Sequence, residues 1–266
     1  MKDAHRARGP HRAYRALILA GGAGKRMQAE GDPGLTSGQS AAARRGDKAF
    51  MPVAGRSFID YQLDVLEAAG VSDVCVVVGP DRTVAGRFSQ VVQPQPRGTA
   101  DAVLCAKTWA QDLPFIVLNG DNLYPFEAVD AIASLDGCGL AGFDRDGLVA
   151  ASNIPAARIN AFAVLERDAA GHLERIVEKP SADEIAAMTA PVLVSMNLWK
   201  FDARIFDACR DVPPSSRGEF ELPSAVMLAR ARGVGFAVVP CGGAVLDLSS
   251  RADIAEVTRR VEGSSR

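Results

Sequence analysis

The run Leu17-Ile-Leu-Ala-Gly-Gly-Ala-Gly-Lys-Arg-Met27 constrains this chain more than any other. A short apolar stretch, closing on Leu19 and Ala20, stops at Gly21, Gly22 and Gly24. The cationic pair Lys25-Arg26 follows. The pattern predicts a buried strand that feeds a glycine-rich turn. Backbone amides of such a turn can face an anion, and glycine lets a phosphate approach the main chain. Arg26 adds a permanent positive charge beside it.

Locally the turn has more than one reading. A Walker loop is excluded, because Gly22 and Gly24 are too close and no Gly-Lys-Ser/Thr follows. Gly22-x-Gly24 could open a dinucleotide fingerprint, but Met27 stands where the third glycine belongs. An ordinary tight turn between strand and helix also fits.

Composition narrows the classes. The chain has 266 residues, 48% hydrophobic and 23% charged, with a formal net charge of −2. These values suit a soluble globular protein with ample core. Near-neutral charge gives no electrostatic case for nucleic acid or a membrane surface, and no apolar run reaches the length of a span. Five scattered cysteines without Cys-x-x-Cys spacing read as reduced thiols in a cytoplasmic protein. The basic residues Lys2, Arg6, Arg8 and Arg12 lie in a stretch, 1–14, expected to be a disordered tail, with one domain over 15–266.

Strands alternate with helical patterns over the first half: strands at 15–20, 73–79 and 114–118, helices at 58–69 and 100–110. This rhythm argues for a doubly wound, largely parallel sheet. The second half is richer in strands, expected at 140–143, 148–152, 160–167, 173–178, 192–201 and 235–240. Asp168-Ala-Ala-Gly171 reads as a hairpin turn. Helices are expected at 202–209, 220–232 and 251–261. Residues 28–46, rich in Gly, Ser, Ala and Arg, read as a mobile loop that could cover a site beside the turn.

Five further elements carry chemistry. Asp121, in Asn119-Gly-Asp-Asn122, follows an apolar strand, where open α/β sheets bind ligands, and a carboxylate there can hold Mg²⁺. Asp247 in Val245-Leu-Asp-Leu248 supplies a second acid. Two carboxylates beside a phosphate-cradling turn suit metal-assisted phosphoryl chemistry. Gln93 lies in Gln93-Pro-Gln-Pro-Arg-Gly98-Thr99, whose prolines stiffen the chain before Gly98 opens a helix at Thr99. A carboxamide there can read a nucleobase edge. In Glu178-Lys179-Pro180 the acid can accept from sugar hydroxyls and the lysine can bind a phosphate. Lys48 follows the 28–46 stretch and could close over phosphates. Taken singly, each has a plain alternative: an N-cap, a rigid loop or a surface ion pair.

Together and in this order, the elements resemble the sugar-1-phosphate nucleotidyltransferases, the NDP-sugar pyrophosphorylases. The matched motifs run Leu-x-x-Gly-Gly-x-Gly-x-Arg-Met, Lys with Pro-Val-x-Gly, Gln-Pro-x-Pro-x-Gly-x-Ala, Gly-Asp, Glu-Lys-Pro and a late Leu-Asp-Leu, over about residues 15 to 262. The resemblance implies a Rossmann-like three-layer α/β/α sandwich with a mixed, mainly parallel sheet. It implies that the turn Gly21 to Arg26 holds the NTP phosphates, that Leu19, Ala20, Gly21, Gly22, Gly24 and Lys25 bind the nucleotide, and that Arg26, Lys48 and Lys179 act on the reacting phosphates. Gln93, Gly98 and Thr99 would bind the nucleotide, Asn122, Glu178 and Asn197 the sugar, and Asp121 and Asp247 Mg²⁺. Attack by the sugar phosphate on the α-phosphorus would expel pyrophosphate, with no nucleophilic side chain. The Gln93 loop leans towards a pyrimidine NTP. A homo-oligomer is compatible with the sequence, and no length remains for a C-terminal β-helix bearing a second activity.

Departures from the pattern touch mainly the acceptor. The stretch before Lys48 is long, Ala163 stands where glycine is common, Ser195-Met-Asn-Leu198 lacks a glycine, and Ser249-Ser250 replaces Gly-Thr. An unusual sugar or cyclitol phosphate would fit. Gly46-Asp-Lys-Ala-Phe50 also resembles transferases of non-sugar acceptors, such as molybdenum cofactor guanylyltransferase or methylerythritol phosphate cytidylyltransferase. A non-catalytic nucleotide-sugar sensor of the same fold is a further alternative.

Overall fold

The protein is described by a computed structural model covering residues 12–29, 34–80, 82–159 and 161–264. Its strands are β1 (Arg15–Leu19), β2 (Pro52–Val53), β3 (Arg56–Ser57), β4 (Asp73–Val78), β5 (Ser89–Val92), β6 (Phe115–Asn119), β7 (Asn122–Leu123), β8 (Cys138–Asp144), β9 (Val164–Arg167), β10 (Leu173–Val177), β11 (Leu193–Phe201), β12 (Phe236–Cys241) and β13 (Leu246–Asp247). Nine of them form one sheet. Along β10-β9-β11-β6-β1-β4-β5 each strand pairs with the next, and β8 pairs with both β11 and β12.

Pairing is parallel for β1 with β4 and β6, β4 with β5, and β8 with β12. Strand β11 runs antiparallel to β6, β8 and β9, and β9 with β10 forms the expected hairpin. The sheet is therefore mixed and mainly parallel in its first half. Residues of β1 alternate between two cores. Leu17 joins Val77, Val117, Trp199 and Phe201 on one face. Ala16 and Ile18 join Val76, Ile116 and Leu118 on the other. Burial on both faces is why β1, β4 and β6 read as unbroken apolar runs.

Helices Thr99–Cys105, Arg204–Asp211 and Leu222–Ala231 cover the first face, and Phe58–Ala68 and Phe126–Ser134 the second. A smaller core lies at the cleft end of the sheet. There Met27, Met51 and Phe58 pack on Leu246, Leu248 and Val257.

Three expectations are corrected. Residues 28–46 were expected as a loop but hold a helix, Ser37–Arg45. Thr36 and Gln39 form a reciprocal capping box, and Ala42 and Ala43 are buried. Residues 148–152 belong to a helix, Arg145–Ala151, not a strand. Asp144 caps it by accepting from the Gly147 amide at 2.8 Å, and Leu148 alone of its residues is buried. Residues 12–14, expected within the N-terminal tail, belong to the fold: Ala13 is fully buried and its amide donates to the Ala133 carbonyl. Arg12 pairs with Asp130 at 2.7 Å. Residues 1–11 lie outside the described part.

Candidate active site

The carboxyl ends of β1 and β6 and the amino end of the helix at Thr99 open onto a cavity of about 530 Å³. One end of its wall is the turn after β1. Leu19, Ala20, Gly21, Gly22, Gly24 and Lys25 all line it. Gly24 has a φ of 60° and abuts the main chain of Gly46, the residue that terminates the helix Ser37–Arg45. Two residues later Lys48 also lines the cavity.

The Lys48 ammonium lies 2.9 Å from the Asp121 carboxylate. Asp121 follows β6 by one glycine, and Gly120 donates its amide to the Leu19 carbonyl at 2.9 Å. A Cβ on Gly120 would come within 2.9 Å of that oxygen, so glycine is what lets the ends of β1 and β6 draw together here. Lysine and acid thus meet beside the glycine turn.

Asp247 lies behind Asp121. Strands β7 and β13 pair Asp247 opposite Asn122, and the Leu248 amide donates to the Asp121 carbonyl at 2.8 Å. Burial, then the Asp121 charge, push the Asp247 carboxyl up to about 6, against the pull of Arg158. Arg158 forms an ion pair with Asp247 and also reaches Asp253 at 3.1 Å. Ser249 Oγ donates to Asp247 at 3.1 Å. Asp121 and Asp247, hard oxygen donors both, are the carboxylates here that could hold a small divalent cation. Among the described residues no group of three or more His, Cys, Asp or Glu could hold a metal.

A second stretch of the wall is Gln93, Pro96, Gly98 and Thr99. Gln93 is buried, and its amide nitrogen donates to Asp101 at 2.8 Å and to the Gly98 carbonyl at 3.0 Å. Thr99 Oγ1 accepts from the Leu222 amide at 2.9 Å, and Ala100 donates to the Phe220 carbonyl at 2.9 Å. These bonds tie the turn to the segment Arg217–Glu221.

At the far end stand Phe162, Ala163, Glu178, Ser195 and Asn197. The register of β11 slips between Ser195 and Trp199, and Asn197 there adopts a φ of 58°. Asparagine tolerates that left-handed conformation better than most residues. The buried Tyr124 hydroxyl donates to the Met196 carbonyl at 2.6 Å and so fixes the bulge. Glu178 is exposed as a residue, yet desolvation of its carboxyl, then the Glu221 charge, raise its pKa against Arg217 and Lys179.

Four expected site residues do not line the cavity. Arg26 is exposed on the short helix Lys25–Gln28, outside the wall. Lys179 is exposed next to Glu178, with a φ of 48°. Asp247 is screened by Asp121, Arg158 and Ser249. Asn122, expected at the sugar, is buried in the β7–β13 ribbon, and its carbonyl accepts from Gln62 at 2.5 Å. Conversely, Arg217, Glu219 and Glu221 line the cavity unforeseen. The signal available for them was a charged Arg-Gly-Glu-Phe-Glu run after Pro213-Pro-Ser-Ser, which has neither helical nor strand periodicity.

The family described as the MobA-like NTP transferase domain matches residues 16–191, which carry the glycine turn, Lys48, Gln93, Asp121 and Glu178. The chain belongs to that family. Curated relatives extend the likeness of this chain to its later elements. The bifunctional protein GlmU of Maricaulis maris is 32% identical over 264 residues, covering 92% of this chain and 52% of that protein. Glucose-1-phosphate thymidylyltransferase of Streptomyces antibioticus is 27% identical, with 93% and 66% covered. The low-salt glycan biosynthesis nucleotidyltransferase Agl11 of Haloferax volcanii is 26% identical, with 80% and 56% covered. The chain thus spans roughly half to two thirds of these relatives. Its fold is that of a UDP-glucose pyrophosphorylase solved with UDP-glucose, with a TM-score of 0.70, 17% identity, and 95% and 99% of the two chains covered. No described helix is long and apolar enough to cross a membrane.

Proposed function

We propose that this protein transfers a nucleoside monophosphate from an NTP to a sugar-1-phosphate or a sugar-like phosphate, releasing pyrophosphate. The observation that carries the reading is the Lys48–Asp121 pair, at 2.9 Å, between the glycine turn and the Asn197–Glu178 end of one cavity. Its support from relatives is the glucose-1-phosphate thymidylyltransferase and the low-salt glycan biosynthesis nucleotidyltransferase named above.

In this reading the acceptor's phosphate oxygen attacks the α-phosphorus in line. The new P–O bond forms as the bond to the bridging oxygen of pyrophosphate breaks, and that electron pair leaves with pyrophosphate. The side chains align and neutralise charge rather than react covalently. The turn from Gly21 to Lys25 cradles the leaving phosphates with backbone amides. Lys48 neutralises them, with Arg26 adding positive charge from the mouth. Gln93, Gly98 and Thr99 form the base side. Glu178 and Asn197 face the acceptor, and Lys179 and Arg217 lie near its phosphate. Asp121 and Asp247 are the residues that would hold Mg²⁺, which when bound supplies further charge neutralisation at the phosphates.

A non-sugar acceptor is the second reading, favoured by the MobA-like family match and the Gly46-Asp-Lys-Ala-Phe50 run. A screen of NTPs against sugar-1-phosphates and non-sugar acceptors, read by pyrophosphate release with Mg²⁺, separates the two. Release with a sugar-1-phosphate is expected. Release only with a non-sugar acceptor selects the second reading, and none with any pair rejects both.

A further inference from the structure

We propose that Asp101 fixes the orientation of the Gln93 carboxamide, so that the site selects nucleobases bearing an imino N–H. This rests on the cavity being the NTP site. Gln93 Nε2 donates to Asp101 Oδ2 at 2.8 Å and to the Gly98 carbonyl at 3.0 Å. Both partners are acceptors. The other Asp101 oxygen pairs with Arg97 Nη2 at 2.5 Å, and an aspartate shared between a guanidinium and an amide has only acceptors to offer. A flipped carboxamide would set its oxygen against two oxygens and strand two hydrogens in a buried place. The orientation is therefore dictated by the network, not by a choice between similar atoms.

The consequence is that Oε1 points the other way. It lies against the main chain of Gly21, where an added Cβ would sit 3.1 Å from it, in the wall of the cavity. Among the described residues no donor reaches it. A locked acceptor at the base wall favours a ring N–H and disfavours a ring lone pair. Uracil, thymine and guanine carry that N–H; cytosine and adenine carry the lone pair. Asp101 is a positioning residue here: it touches Gln93, not the nucleotide.

Calorimetric binding with Mg²⁺ tests this in size-matched pairs, UTP against CTP and GTP against ATP. In the wild type, the imino member of whichever pair binds is expected to be preferred about tenfold or more, the scale of one unsatisfied polar group. N-methylation of that base, as 3-methyl-UTP or 1-methyl-GTP, is expected to erase the preference. Asp101→Asn offers Gln93 a donor, lets the carboxamide flip, and is expected to bring the paired affinities within about threefold. Equal wild-type binding within each pair, or unchanged binding on methylation, overturns the proposal, and neither needs a variant to fold. An unchanged preference in folded Asp101→Asn also overturns it, as does absence of binding by every NTP. The expected preference without pyrophosphate release from any acceptor would reject the transfer reading alone. Release at equal efficiency with both members of a pair would reject the base-selection proposal alone.

Discussion

Gly24 and Gly46 meet backbone to backbone. A Cβ on Gly24 would collide with the Gly46 main chain, and one on Gly46 would lie 2.5 Å from the Ala23 carbonyl oxygen. Both glycines have positive φ, 60° and 73°. Through this contact the end of the helix Ser37–Arg45 closes on the glycine turn and delivers Lys48 to Asp121. Gly46→Ala is expected to cost about 1–3 kcal/mol from strain at that position. It should also lower kcat/KM for the NTP, because Lys48 is displaced. Thermal unfolding with steady-state kinetics checks both; full activity at wild-type stability would contradict the contact's role.

Tyr124 backs the Asn197 end of the cavity, where the acceptor is proposed to bind. Its hydroxyl holds the Met196 carbonyl at 2.6 Å, next to Asn197 in its left-handed conformation. Tyr124→Phe leaves a buried carbonyl short of its donor and should destabilise the fold by about 1–3 kcal/mol. KM for the acceptor is expected to rise while KM for the NTP stays within error. A change confined to the NTP would contradict this assignment.

How much of this could be read from residues alone differs by element. Ala16, Leu17 and Ile18 announce a strand buried on both faces, and β1, β4 and β6 follow that pattern. The glycine turn, Lys48, Gln93 and Asp121 were legible because unusual residues stand at strand or helix ends. The helix Arg145–Ala151 was not: Leu148-Val-Ala-Ala-Ser152 is too short for period to separate helix from strand, and the Asp144 cap decides it. The family resemblance implied a sugar contact for Asn122, but pairing of β7 with β13 buries it. Arg217 and Glu221 reach the cavity only because Phe220 docks on Arg97 and Ala100, a contact between segments more than a hundred residues apart.

Lys200 provides a pH test independent of the cavity. Its side chain is buried, and its ammonium donates to the carbonyls of Ala133, at 3.1 Å, and Leu135. Burial pushes its pKa from 10.5 down to about 8. Between those values the unfolded chain holds a proton that the folded chain has released, so this group makes stability rise with pH across that window. Buried thiols such as Cys75 and Cys209, both pushed up to about 12 by burial, act in the opposite direction above their ordinary range. They are common to wild type and variant and cancel in a difference. The unfolding free energy of wild type minus Lys200→Met should therefore climb between pH 8 and pH 10 by at most about 1.4 kcal/mol per unit. A flat difference would contradict it.

The account turns on Asp121 as the acid that meets Lys48 and stands before Asp247. Asp121→Asn keeps the size of the side chain and leaves the Asp121 carbonyl free to accept from Leu248, so the fold should persist. The decisive measurement is pyrophosphate release by this variant with Mg²⁺, the active NTP and its acceptor, alongside circular dichroism and thermal unfolding. A fall of about a thousandfold or more with unchanged secondary structure is expected, the scale of a lost group that stabilises transition-state charge. Turnover within about threefold of wild type, in a folded Asp121→Asn protein, would contradict the central claim.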